Sequence, residues 1–162
     1  MLIDELKNIA RNNGIVGAGG AGFPAYAKMT EKADTVILNC VECEPLLKLH
    51  RQLLATHTEE IIQMLDEVRE SFGAKEAVIG IKSEYVTTIK AIEEVIGDFP
   101  NVRICALKAA YPMGDEVVLI YEATGRVIKP GGLPIDENVV VYNVETMYNL
   151  YRAVHLNIPV TN

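Results

Sequence analysis

The chain has 162 residues, of which 49% are hydrophobic, and its mean hydropathy of +0.16 allows one domain with a substantial core and excludes a disordered chain. A formal net charge of -7 excludes a nucleic-acid partner, because no basic stripe is present to neutralise phosphates. No run approaches the length of a membrane span and Met1-Leu2-Ile3-Asp4-Glu5 lacks the basic start of a signal peptide, so a cytoplasmic protein without direct membrane insertion is expected.

A helix is predicted near residues 2–12, where Leu2, Ile3, Leu6, Ile9 and Ala10 recur at helical spacing and Gly14 stands at the position of a C-terminal glycine. Next comes Gly17-Ala18-Gly19-Gly20-Ala21-Gly22, with four glycines in six residues, closed by the stiff pair Phe23-Pro24 and followed by Lys28. Glycines free to take positive φ can turn several N–H groups inward around an anion. Gly17, Gly19 and Gly22 match the spacing G-x-G-x-x-G, but that pattern marks a dinucleotide fold only after a strand, and here a helix precedes it. The expectation is a phosphate-binding loop that is not a Rossmann one.

A buried strand at 34–39 leads into Asn39-Cys40-Val41-Glu42-Cys43-Glu44-Pro45. Cys40 and Cys43 form a C-x-x-C, yet the chain has only three cysteines, and His50, His57 and His155 show no paired ligand spacing, so neither a metal site nor a disulfide framework is expected. Thr56-His57-Thr58-Glu59 reads as a capping box for a helix through Ile61, Ile62, Leu65, Val68 and Phe72 that stops at Gly73. A strand at 77–81, a helix capped by Ser83 through Val86, Ile89, Ile92 and Ile96, and a strand at 102–107 follow. Beyond Tyr111-Pro112-Met113-Gly114-Asp115-Glu116, a short helix from Val117 to Ala123 ends at Gly125. Lys129 to Pro134 is rich in turn residues, Val139-Val140-Val141 is a last strand, and Glu145 to Leu156 a last helix with Met147, Leu150, Tyr151 and Val154 inward. Alternating strands and helices imply a parallel sheet with right-handed crossovers and helices on its faces.

Ligands of such sheets bind outside the carboxyl ends of the strands. Three loops leave those ends, and each carries amide, hydroxyl or carboxylate groups beside Gly or Pro. Asn39 and Asn143 are two-sided amides suited to the edge of an uncharged ring, while Glu42, Glu44, Asp115 and Glu116 suit sugar hydroxyls. Since those acids would repel a phosphate, the glycine loop and Lys28 are expected to hold it at the other end of the ligand.

Five motifs in this order, Gly14 to Pro24, Asn39 to Pro45, Tyr111 to Glu116, Thr124-Gly125-Arg126 to Gly131-Gly132-Leu133-Pro134, and Asn143-Val144-Glu145-Thr146, resemble the C subunit of the Rnf electron-transport complex. Its wider family includes the flavoprotein subunit of respiratory complex I, cobalamin reductases and the electron-transfer protein associated with proline reductase; the Asn-x-x-Glu-Cys-Glu-Pro form looks closer to the Rnf and proline-reductase branch than to complex I. The resemblance implies an α/β three-layer sandwich with a mostly parallel sheet, non-classical among Rossmann-like folds, that binds FMN and accepts hydride from NADH. By position, Gly17, Gly19 and Lys28 match flavin-loop residues, and Asn39, Glu42, Tyr111, Gly114, Asp115, Asn143 and Thr146 match the rest of the flavin pocket. Gly20, Ala21, Phe23, Glu44 and Glu116 match positions that face the dinucleotide. The flavin carries the chemistry, so no catalytic side chain is assigned.

Departures from the pattern are Ala25, where a threonine commonly follows Phe-Pro, Val41, where complex I has an acid, and Tyr142, where complex I has an asparagine. Residues 1–162 are expected to form a single FMN- and NADH-binding domain. Members of the family continue into a ubiquitin-like-fold domain and an iron–sulfur domain, so electrons would leave to an external iron–sulfur protein or another subunit of a redox complex, at the periphery of a membrane. The competing expectation is a non-catalytic assembly module that docks on a redox partner.

Overall fold

Four apolar runs rich in β-branched residues form the strands β1 (Thr35–Cys40), β2 (Glu76–Lys82), β3 (Val102–Leu107) and β4 (Val139–Asn143). A computed structural model describes residues 1–15, 24–41, 49–108 and 116–159 of the chain. The strands make one parallel sheet in the order β3-β2-β1-β4. Helices α1 (Ile3–Asn12), α2 (Leu49–Thr56), α3 (Thr58–Phe72), α4 (Val86–Ile96), α5 (Glu116–Thr124) and α6 (Val144–His155) connect and cover them, with short 3₁₀ turns at Ala25–Lys28 and Pro134–Glu137.

The strand order dictates where the helices lie. From β1 the chain steps outward to β2 and β3, then doubles back past β1 to reach β4, and right-handed crossovers put helices of the two directions on opposite faces. Accordingly Val36, Leu38 and Cys40 of β1 join the core under α1, α3 and α6, while Ile37 and Val41 join Leu119, Ile120 and Ala123 of α5 on the other face. Three layers result. Gly80 on β2 allows α5 this close, since a Cβ there would run into the Leu119 side chain.

Several local expectations are corrected. Thr56 ends α2 and does not cap α3, whose N-cap is His57; the Thr58 hydroxyl turns back to donate to the Leu54 carbonyl at 2.7 Å, so no capping box forms. Ser83 does not cap α4 either: its N–H donates to Leu107 O at 2.8 Å, extending the β2–β3 pairing, and Tyr85 is the N-cap. Leu2 is the N-cap of α1 and 72% exposed, so the buried stripe of that helix is Leu6 and Ala10. On α6 the inward residues are Val144, Met147, Leu150 and Ala153, with Tyr151 and Val154 half-buried at the margin.

At the amino ends of β1 and β4, Arg126 donates to the Asp34 carboxylate at 2.6 Å and to Glu137 O at 2.9 Å. The Thr124-Gly125-Arg126 motif thus latches the two strands together, with Gly125 at φ +74 making the turn out of α5. Burial alone pushes the Asp34 carboxyl up, but hydrogen bonds from Arg126 and Thr35 and the charges of Arg126 and Lys75 outweigh it and hold the group below its ordinary range.

Candidate functional site

Between β1 and β4 the direction of strand order reverses, and at such a switch point the connections leave the sheet on opposite faces and open a crevice at the carboxyl ends. Asn39 and Asn143 are register partners there, side by side on adjacent strands. The alternation of side chains puts Asn39 on the face of Ile37 and Val41, and Asn143 on the face of Val139 and Val141, which is the α5 side for both.

Both amides are anchored to the backbone through their oxygens. Asn39 Oδ1 accepts the N–H of Val41 at 2.9 Å, and Asn143 Oδ1 accepts the N–H of Thr146 at 2.8 Å as the N-cap of α6. These bonds fix the orientation of each carboxamide, and an amide oxygen that accepts one N–H keeps a second lone pair. Thr146 itself is 1% exposed, and its N–H serves Asn143, so it supports the site from beneath.

Lys28 closes the 3₁₀ turn Ala25–Lys28, and its Nζ donates to the Val141 carbonyl at 3.2 Å along the outer side of β4. A neutral carbonyl leaves the ammonium charge in place. Between this turn and β4 opens a cavity of about 320 Å³, mostly apolar, with Val139 and Val141 on one wall, Ala27 and Lys28 on another, Leu133 and Pro134 on a third, and Glu116 from the first turn of α5. Lys28, expected at the phosphate of a ligand, and Glu116, expected at its sugar, both face this space. They line one cavity, because α5 and the 3₁₀ turn converge on the same stretch of β4.

Of the expected site residues, Lys28 and Glu116 line the cavity along Val139–Val141, while Asn39 and Asn143 stand at the carboxyl ends of β1 and β4 with Thr146 bonded to Asn143. Gly17, Gly19, Gly20, Ala21, Phe23, Glu42, Glu44, Tyr111, Gly114 and Asp115 lie outside the described residues. The ends of the segment that carries the glycine motif do meet: Ala25 N–H donates to Ile15 O at 3.1 Å, and both residues are buried. Cys40 is buried on the α3 and α6 side, whereas Cys105 packs on the α5 side, where burial pushes its thiol up despite the opposing Arg103 charge. Tyr142, one residue before Asn143, carries no site signal in the sequence beyond its departure from the complex I pattern, and it bonds to the 3₁₀ turn.

The groups present suit FMN: oriented amides at the ends of β1 and β4 for the ring edge, and an apolar cavity along β4 that carries the Lys28 ammonium. Fold and site together define a parallel α/β domain with a cofactor crevice at its switch point. The family model for the Nuo51 FMN-binding domain matches residues 10–152, and the chain belongs to that family. Among curated relatives, the cobalamin reductase PduS of Citrobacter freundii is 40% identical over 96% of this chain and 34% of its own length. The C subunit of the Na(+)-translocating ferredoxin:NAD(+) oxidoreductase complex of Acetobacterium woodii is 34% identical over 96% of this chain and 36% of its own length. Among solved structures, the NAD+-reducing NiFe hydrogenase in its H2-reduced state superposes with a TM-score of 0.74 at 22% identity, covering 94% of this chain and 30% of that one. The chain spans about a third of the length of the curated relatives it matches.

Proposed function

We propose that this chain is an electron-transfer domain that uses FMN to oxidise NADH and delivers the electrons to an iron–sulfur protein or another subunit of a redox complex. The observation that carries the reading is the register pair Asn39 and Asn143 at the switch point of a chain belonging to an FMN-binding family. FMN, when bound, supplies the exchange between two-electron and one-electron chemistry. The residues supply position: Asn39 and Asn143 offer N–H donors held rigid by backbone bonds, Lys28 places a positive charge at the cavity, and Glu116 an acceptor for hydroxyls.

The names of the relatives support the redox partner: two of them are a reductase and a subunit of a ferredoxin:NAD(+) oxidoreductase complex. No helix among the described residues is long and apolar enough to cross a membrane. Glycine-loop amides holding the phosphate, Phe23 stacking on the dinucleotide, and a place in the Rnf and proline-reductase branch belong to the same proposal and rest on the motifs.

The test is a titration of FMN with micromolar protein, followed by anaerobic addition of NADH and a one-electron acceptor. Quenched flavin fluorescence, a shifted visible spectrum and NADH-dependent reduction of the acceptor are expected. Unchanged fluorescence and absorbance would remove the flavin, and FMN binding without acceptor reduction would favour a module that docks on a redox partner.

A further inference from the structure

Two bonds tie the turn Ala25–Lys28 to β4, and they run in opposite directions: Tyr142 OH donates to Ala25 O at 3.3 Å, and Lys28 Nζ donates to Val141 O at 3.2 Å. The turn and the strand are the two walls of the cavity that Ala27, Lys28, Val139 and Val141 line. Both bonds cross from one wall to the other, while Ala25 N–H ties the turn to Ile15 O on the far side. Tyr142 does not line the cavity; it is 3% exposed and packs with the core beneath α6, where Lys28 Nζ also stands 5.9 Å from its ring centroid. Ala25 is 1% exposed, so the carbonyl that Tyr142 serves has no water to replace a lost donor.

We infer that Tyr142 is a positioning residue for the cofactor cavity, acting through Ala25 and Lys28 to hold the turn at a fixed distance from β4. This rests on the reading of the cavity as part of an FMN site. Burial pushes the Tyr142 phenol far up, so its hydroxyl stays a donor across the working pH range. Loss of that donor leaves the ring in place and releases Ala25, and with it the wall that carries Lys28.

The experiment compares wild type, Tyr142→Phe and Phe72→Leu, the last being a core substitution on α3. Tyr142→Phe is expected to weaken FMN about threefold to tenfold, the range of one net hydrogen bond, and to alter the visible spectrum of bound FMN. Phe72→Leu is expected to lower the melting temperature at least as much while leaving the FMN Kd unchanged. Wild-type affinity and spectrum in Tyr142→Phe, or equal weakening by Phe72→Leu, would overturn the inference. Hydrogen–deuterium exchange of the segment Ala25–Lys28 in the FMN-free protein is expected to speed up in Tyr142→Phe, and unchanged exchange would overturn it whether or not FMN binds. If wild type leaves FMN unbound, the cofactor reading fails and exchange alone decides the positioning role.

Discussion

Asn143 has two functions that a single substitution can separate. Its oxygen caps α6 through the Thr146 N–H, and its NH₂ is the part proposed to meet a ligand. Asn143→Ala removes both, at a stability cost of about 1 kcal/mol for the lost cap. Asn143→Asp keeps an oxygen for the cap, with a charge suited to a helix N-terminus, and removes the NH₂. The expected outcome is a melting temperature close to wild type for Asn143→Asp, a lower one for Asn143→Ala, and FMN affinity reduced about tenfold or more in both, measured by thermal unfolding and flavin fluorescence. Asn39 and Asn143 are legible in the sequence because a polar residue at the end of an apolar, β-branched run marks a strand's carboxyl end. Tyr142 is not, since an aromatic in such a run looks like core, and its bond to Ala25 joins residues 117 positions apart.

Elements are legible where periodicity and stop signals agree. All four strands and the glycine stops at Gly73 and Gly125, both at positive φ, follow from β-branched runs and turn chemistry. α2 escapes such a reading because it runs into α3 with only His57 between them, and Thr56-His57-Thr58-Glu59 imitates the start of a helix while lying at the junction of two. The approach of α5 to the sheet is invisible in sequence. Gly80→Ala puts a methyl against Leu119, which is buried, and overpacking of this kind costs about 1–3 kcal/mol; a melting temperature several degrees below wild type is expected by calorimetry. The latch at the far end of the sheet gives an acid response. Asp34 has a depressed pKa when folded, so the stability it adds is present above its unfolded value of about 4 and is lost as pH falls through the folded one. Because the Arg126 pair is about one-third exposed, the gain is below about 1 kcal/mol. The melting temperature of Asp34→Asn is expected to sit about 1–3 °C under wild type at pH 7, with the gap closing below about pH 4.

At the scale of the molecule, alternation of strands and helices announces a parallel sheet, but not that β4 lies beside β1 and creates the switch point. β1, β2 and β4 carry nearly the same apolar code, and only β3, with exposed Arg103 and Ala106, declares itself an edge, so the place of β4 emerges only when the faces are packed. The latch of Asp34 and Arg126 stands at one end of β1 and β4, Asn39 and Asn143 stand at the other, and the cavity runs along β4 between them from Val139 to Val141. A cofactor bound from the switch point into this cavity must protect the strand ends at Asn39 and Asn143 and the Ala25–Lys28 wall more than the latch. Hydrogen–deuterium exchange with and without saturating FMN reads this: protection is predicted at Asn39–Val41, at Asn143–Met147 and in the Ala25–Lys28 turn, with less at Asp34 and Arg126. Protection confined to the Asp34 and Arg126 end, or no protection anywhere, would contradict a cofactor site at the switch point.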